Sequence, residues 1–144
     1  MPYSVNNNGV GSDSLLTFTV NSTSGQDFTQ SDLDSGLAAC AITGNNQVGM
    51  GSAGSKLFGK VIDVSKELQS GTTVPAYCTV QARGVGRLKY ATPTPVVNEM
   101  VELDGTGKVR RASTSTDIPA GGHKHKGQVI AVDTTNTTCD VWLG

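Results

Sequence analysis

Short runs of strand-forming residues, separated by glycine and polar turns, make up most of the chain from Gly36 onward. Several runs alternate apolar and polar residues, as in Val101–Leu103, and this period of two is typical of a strand with one buried face. No sustained helical period is present, and the only helix-like piece, Ser65 to Leu68, is long enough for a single turn. The pattern predicts strands at 37–43, 47–50, 57–64, 74–81, 85–90, 100–103, 108–112, 127–133 and 137–143.

Two tight turns are expected between these strands. The segment Asp104–Gly107 separates the runs at 100–103 and 108–112, and its glycines accept the positive φ that tight hairpins demand. A second hairpin is expected at Thr134–Asn136. Many short strands at near-regular spacing are typical of a small barrel or sandwich. We therefore predict an all-β fold with a small β-barrel body.

The first 35 residues differ in composition from the rest. The tracts 6–14 and 21–36 are rich in Asn, Ser, Thr, Asp and Gly, a composition that buries little surface. Between them, Leu15–Val20 is a short β-prone run. We therefore predict an extended N-terminal arm with one short strand at 1–35, and a barrel-like body at 36–144.

An arm of this kind is a candidate for contact with a partner. Ordering it alone would cost about 1–2 kcal/mol of backbone entropy per residue, so it is useful mainly when something else holds it. A mobile tail without a role is the alternative. The apolar side chains expected to make the contact are Tyr3, Val5, Leu15, Leu16, Phe18 and Val20.

Composition and charge narrow the classes of function. The length of 144 residues suits one domain, and 11 Lys and Arg against 12 Asp and Glu give a net charge of −1. The chain therefore lacks the positive potential that draws proteins to phosphate backbones or anionic lipid. It also lacks a run of about 18 apolar residues and a start resembling a signal peptide. We expect a protein made in the cytoplasm that binds neither nucleic acid nor membrane.

The motifs that could carry chemistry have simpler interpretations. Gly49–Gly54 has the GxGxxG spacing, but a strand-like run follows it, whereas a dinucleotide site needs a helix there. His123 and His125 lack further ligands at metal-site spacing, and Gly121 and Gly122 before them indicate an exposed loop. We therefore expect no enzymatic activity, no cofactor and no metal.

The three cysteines are predicted to be buried free thiols. Cys40, Cys78 and Cys139 are an odd number without CxxC spacing, and they lie among Ala, Val, Thr and Tyr. The five basic residues Arg83, Arg87, Lys89, Arg110 and Arg111 cluster in two β-rich segments. They form either the solvent-facing side of strands or a polar strip that contacts an acidic partner surface.

Four segments of the chain, in this order, resemble a family of small tailed-phage proteins. They are LFGKVIDV at 57–64, VQARGVGRLKY at 80–90, PVVNEMVELDGTGKVR at 95–110 and KGQVIAVDTTNTTCDVWLG at 126–144. The family is that of the capsid decoration, or cement, proteins, which stud the outside of icosahedral heads. The departure is the first 35 residues, which are longer and more polar than in the shortest relatives.

The resemblance implies a small β-barrel or β-tulip fold that forms homotrimers on the outer capsid surface of the virion. It also implies a structural function, the cementing of neighbouring major capsid protein subunits. The apolar C-terminal run of Val141, Trp142 and Leu143 is then expected in the core or at a subunit interface. The alternatives are a host-attachment or glycan-binding module on a virion surface, and a tail or head-completion component.

Overall fold

The computed structural model describes residues 15–65, 76–113 and 126–144, together with the backbone of two short strands at 68–69 and 72–73. The fold is all-β, as predicted, and each predicted run contains a strand. The elements are β1 (Leu15–Val20), α1 (Gln30–Asp34), β2 (Ala39–Gly44), β3 (Gln47–Gly49), β4 (Gly59–Ser65), β5 (Leu68–Gln69), β6 (Thr72–Thr73), β7 (Tyr77–Gln81), β8 (Val85–Lys89), β9 (Met100–Leu103), β10 (Val109–Arg111), β11 (Lys126–Asp133) and β12 (Thr138–Trp142).

Five strands close into a barrel in the order β1-β3-β2-β4-β7. Strand β1 runs parallel to β3, with Val20 opposite Val48, and antiparallel to β7, with Leu16 opposite Val80. The other neighbours in the barrel are antiparallel. Strand β1 is therefore paired with β7 along Leu15–Thr19 and with β3 at Thr19 and Val20, which closes the barrel.

This pairing corrects the boundary that was predicted between residues 35 and 36. Val20 is buried, and Phe18 packs edge-on against Phe58 with 5.4 Å between the ring centroids. Phe28, in the segment after β1, is fully buried in the core. A few well-placed apolar side chains therefore anchor this polar stretch to the body. Of the predicted arm, residues 1–14 lie outside the part of the chain that the structure describes.

Helix α1 is an element that the sequence analysis missed. Thr29 is its N-cap: the Thr29 hydroxyl accepts a hydrogen bond from Asp32 N at 3.1 Å, and Asp32 Oδ2 accepts one from Thr29 N at 2.9 Å. This reciprocal pair is a capping box, and the Thr-x-x-Asp spacing is the signal that could have predicted it. Strand residues lie at both ends of the helix-like piece at 65–68, because Ser65 ends β4 and Leu68 begins β5.

The remaining long strands form a second sheet in the order β10-β9-β11-β12-β8. Both predicted hairpins are present, β9–β10 around 104–107 and β11–β12 around 134–137. In the first, Asp104 Oδ1 accepts hydrogen bonds from Thr106 N at 2.8 Å and Lys108 N at 3.2 Å. The sheet curls far enough for Tyr90, just after β8, to form a bridge with Val109 of β10.

One continuous apolar core joins the barrel to the second sheet. At Gly127, a Cβ atom would lie 2.9 Å from both Leu57 Cδ2 and Val141 Cγ1, so only a residue without a side chain fits where β11 crosses this core. The fully buried side chains come from both sheets, and the larger ones are Phe28, Val48, Leu57, Val61, Val80, Leu88, Val101, Leu103, Val109, Val129, Val141 and Leu143.

The cysteines belong to the same core. All three are free and buried, as the sequence predicts. Burial raises the pKa of Cys40 to about 12, of Cys78 to about 11 and of Cys139 to about 12. Because the thiolate is the reactive form, these thiols act as packing groups at neutral pH.

The contact between β4 and β7 yields a direct test of the packing. A Cβ atom at Gly59 would lie 2.3 Å from the backbone oxygen of Gln81, which cannot move without distorting the barrel. We expect Gly59→Ala to lower the free energy of unfolding by about 1–3 kcal/mol, measured by urea denaturation.

Gly44→Ala is the matched control for this substitution. Its added methyl group would meet only the flexible end of the Gln47 side chain, at 2.9 Å. We expect a change of no more than about 0.5 kcal/mol. Equal effects of the two substitutions would contradict the close approach of β4 and β7.

Candidate interaction surface

A row of exposed side chains crosses the outer face of the second sheet. Val85 of β8 lies opposite Trp142 of β12, Trp142 lies opposite Gln128 of β11, and Gln128 lies opposite Met100 of β9. All four are exposed. Ile130, two residues along β11 from Gln128, is exposed as well. We call these five residues the outer row.

Strand alternation explains why Trp142 belongs to this row. Its neighbours Val141 and Leu143 are fully buried, whereas the Trp142 side chain is 48% exposed. Successive side chains of a strand point to opposite faces, so β12 inserts Cys139 and Val141 into the core and presents Trp142 outside. The structure therefore places Val141 and Leu143 in the core. Of the two positions expected for Trp142, the core or a subunit interface, it excludes the core.

Hydrogen bonds hold the centre of the outer row in place. The Gln128 amide donates to Asn98 Oδ1 at 2.7 Å, and Asn98 N donates to Val129 O at 2.8 Å. The loop that contains Asn98 also carries Val96 and Val97, which are both exposed. These contacts fix the loop against β11.

The predicted basic strip is divided between the two end strands of the second sheet. On β10, Arg110 pairs with the buried Glu102 at 2.8 Å, and Arg111 pairs with Glu99. Each arginine therefore has a carboxylate partner, Glu102 within β9 and Glu99 just before it. These pairs favour the interpretation of β10 as a solvent-facing strand surface over that of a strip waiting for an acidic partner.

The basic residues of β8 are also held within the chain. Arg87 Nε donates to Asp140 Oδ1 at 2.8 Å, and Lys89 Nζ donates to the backbone oxygen of Asn136 at 3.1 Å. Arg83 is exposed in the turn before β8. The Arg87–Asp140 pair lies beside the outer row, because Asp140 is two residues before Trp142 on the same face of β12.

The predicted arm contacts are dispersed. Leu15 and Leu16 are exposed at the start of β1, whereas Phe18 packs against the core and Val20 is buried in it. Burial in the barrel removes Val20 from any surface that a partner contacts. Tyr3 and Val5 lie outside the described residues.

The GxGxxG spacing at Gly49–Gly54 does not form a dinucleotide site. Gly49 ends β3, and Gly51–Gly54 lead through a turn toward β4, so no helix follows to receive a dinucleotide. The segment with His123 and His125 lies outside the described ranges. Within those ranges, no three residues of the types His, Cys, Asp and Glu are arranged to hold a metal ion. No helix there is long and apolar enough to span a membrane.

The Arg87–Asp140 ion pair beside the outer row changes the pKa of the Asp140 carboxylate. The hydrogen bond from Arg87 lowers the pKa of Asp140 below its ordinary value, and hydrogen bonds from Asn136 lower the pKa of Asp133 in the adjacent turn. A carboxylate with a lowered pKa in the folded state stabilises the fold above its ordinary pKa. That contribution is lost as the pH falls through the lowered value.

We therefore expect the stability difference between the wild type and Asp140→Asn to depend on pH. It is present at pH 7 and shrinks below about pH 4, where the unfolded carboxyl takes up protons first. The measurement is the midpoint of urea unfolding between pH 2.5 and pH 7. The difference is modest, because Arg87 is largely exposed and water screens the pair.

Asp63→Asn is the control, since it removes an exposed charge from β4 for which the described residues supply no ion-pair partner. Its difference from the wild type is compared with that of Asp140→Asn over the same range, between pH 2.5 and pH 7. An Asp140→Asn profile parallel to that of Asp63→Asn would show that the Arg87 pair adds nothing to stability.

Comparison with known proteins yields no relative of this chain. No protein-family model matches it, and no curated protein and no solved structure matches it either. What the protein does is therefore inferred from its own residues, among them the exposed outer row of the second sheet.

Proposed function

We propose that this protein is a structural virion protein that binds the outer surface of a phage capsid and stabilises the lattice of the major capsid protein, as a homotrimer. The observation that carries the proposal is the outer row. An exposed tryptophan, a methionine, a valine and an isoleucine lie on one sheet face. Apolar side chains grouped on one exposed face are typical of protein contact sites.

The outer row has the anatomy of a protein–protein interface. Tryptophan and methionine are enriched at the centres of such interfaces, and the surrounding rim is polar. Here the Arg87–Asp140 pair and Gln128 surround or interrupt the apolar side chains, and their polar atoms are already hydrogen-bonded. A partner that covers Trp142 would therefore leave few polar groups without a hydrogen bond.

The resemblance to decoration proteins concentrates on the same sheet. Three of the four resembling segments supply its strands: 80–90 contains β8, 95–110 contains β9 and β10, and 126–144 contains β11 and β12. The fourth, 57–64, begins with the buried Leu57 and continues into β4. The segments that resemble the family thus build the face that carries the outer row.

A contact made by only a few side chains becomes strong when many copies of it bind the same shell. A trimer presents three copies of the row, and once one copy is bound the others act at effective concentrations of order mM. The net charge is −1, and Arg87, Arg110 and Arg111 are paired within the chain, so the contact is expected to be mainly apolar. Salt weakens an apolar contact less than an ionic one. The stabilisation of the shell follows from linkage, about 2.7 kcal/mol per site at a hundredfold excess over Kd.

The proposal is tested by co-sedimentation with expanded, undecorated shells of the parent phage. We expect the wild-type protein to bind the shells and to raise their disruption temperature. Trp142→Ala should raise the Kd about tenfold or more, as expected for an aromatic residue at the centre of an interface. Because Trp142 is half-exposed, the variant should retain the fold, which circular dichroism checks.

Tyr77→Ala is the matched control. Tyr77 is an aromatic residue of similar exposure, 49% against 48%, but it lies on the barrel rather than on the second sheet. We expect this variant to bind shells like the wild type. Absence of wild-type binding would overturn the proposed function. Equal loss in both variants, or loss of trimers with shell binding retained in Trp142→Ala, would overturn the assignment of the outer row to the shell.

A further inference from the structure

A cleft of about 780 Å³ opens between the barrel and the start of β11. Its walls come from β2, from the segment 51–58 and from the first residue of β11. The residues that matter for its chemistry are Ile42, Ser55, Lys56, Phe58 and Lys126. A second groove shares Lys56 and Lys126 and is also lined by Met100, Gln128 and Trp142 of the outer row, so the two lysines lie between the cleft and the outer row.

The ammonium group of Lys126 is held in a fixed position at the base of the cleft. Its Nζ donates to the backbone oxygen of Phe58 at 2.7 Å and to that of Ala82 at 3.3 Å. It also lies 5.1 Å from the centroid of the Phe58 ring, on its face. An ammonium has three N–H donors, and these two carbonyls leave one for a ligand.

A second positive charge faces the same space. Lys126 is half-buried, and burial lowers its pKa; the charge of the nearby Lys56 lowers it further. Among the described residues, neither amine has a carboxylate partner within ion-pair distance. Two like charges close together, one of them partly desolvated, are an arrangement that an anion would stabilise.

The rest of the cleft indicates which kind of anion fits. Ser55 Oγ accepts a hydrogen bond from Ser52 N at 3.0 Å, which leaves its own O–H free to donate. Ile42 is half-exposed, and Phe58 supplies an aromatic surface beside the amines. A carboxylate on a short aliphatic stem matches both features, because its oxygens meet the donors and its methylenes meet the apolar wall.

We propose that this cleft binds the carboxylate of an acidic side chain from a partner protein, held between Lys56 and Lys126. The side chain of Lys126 is already ordered by the two carbonyls and the Phe58 ring, so little entropy is lost on binding. Lys56, which is exposed, adds its charge as the acid enters. The site stands on different residues from the outer row and does not depend on the proposed function.

The test uses the isolated protein and two blocked peptides, acetyl-Gly-Glu-Gly-amide and acetyl-Gly-Gln-Gly-amide, with backbone amide shifts followed by NMR. We expect saturable shifts at Ser55, Lys56 and Phe58 with the Glu peptide, at a Kd on the order of 1 mM. The Gln peptide, which has the same shape without the charge, should produce none. Inorganic phosphate is titrated in parallel.

Substitution of the lysines locates the binding. Lys56→Gln should raise the Kd for the Glu peptide about tenfold, since it removes a charge-assisted contact and is exposed enough to leave the fold intact. Lys60→Gln is the control, because Lys60 lines a separate groove beside Arg87. Lys126→Gln should abolish binding, with the amide spectrum as the check on its fold.

Three results would overturn the proposal. They are binding of both peptides alike, binding of the Glu peptide that Lys56→Gln leaves unchanged, and binding of phosphate at this site without binding of the Glu peptide. Because no shell is present in the experiment, its failure is separate from a failure of the proposed function.

Discussion

The packing of Leu57, Val101 and Val141 around Gly127 is the constraint on which the rest of the structure depends. Here the buried residues of the closed barrel and those of the second sheet form one continuous cluster. Burial of this apolar surface is the main stabilising contribution to the fold. The shared core also dictates what remains outside: once Cys139, Val141 and Leu143 point inward, the period of β12 leaves Trp142 on the surface.

The junction of the two sheets explains both candidate sites. The inner face of the second sheet is buried in the core, so the outer row lies on the face that remains exposed. The cleft lies beside the barrel at the start of β11, where Lys126 spans the gap to Phe58 and Ala82. The two sites differ in chemistry, one apolar and bordered by paired charges, the other cationic with an apolar wall. They can therefore act on different parts of a partner, or on different partners.

The sequence predicts the parts of this fold that local patterns determine. The period of two located the strands, and turn chemistry located the hairpins at 104–107 and 134–137. Closure of the barrel through the parallel pair β1–β3 depends on contacts between distant segments, which no local pattern carries. The boundary at residue 36 was wrong because Val20 and Phe28 are widely spaced in a polar stretch, where average composition hides them. Lys56 and Lys126 are far apart in the chain, so their proximity emerges only from the fold.

The most direct test of the central claim, that the outer row is the contact with the shell, is an electron cryo-microscopy map of the decorated phage head at side-chain resolution. The account predicts that the Trp142 indole is buried against the major capsid protein, with Val85 and Met100 at the same contact. A map in which Trp142 faces solvent or another copy of this chain, while a different face touches the shell, would contradict it.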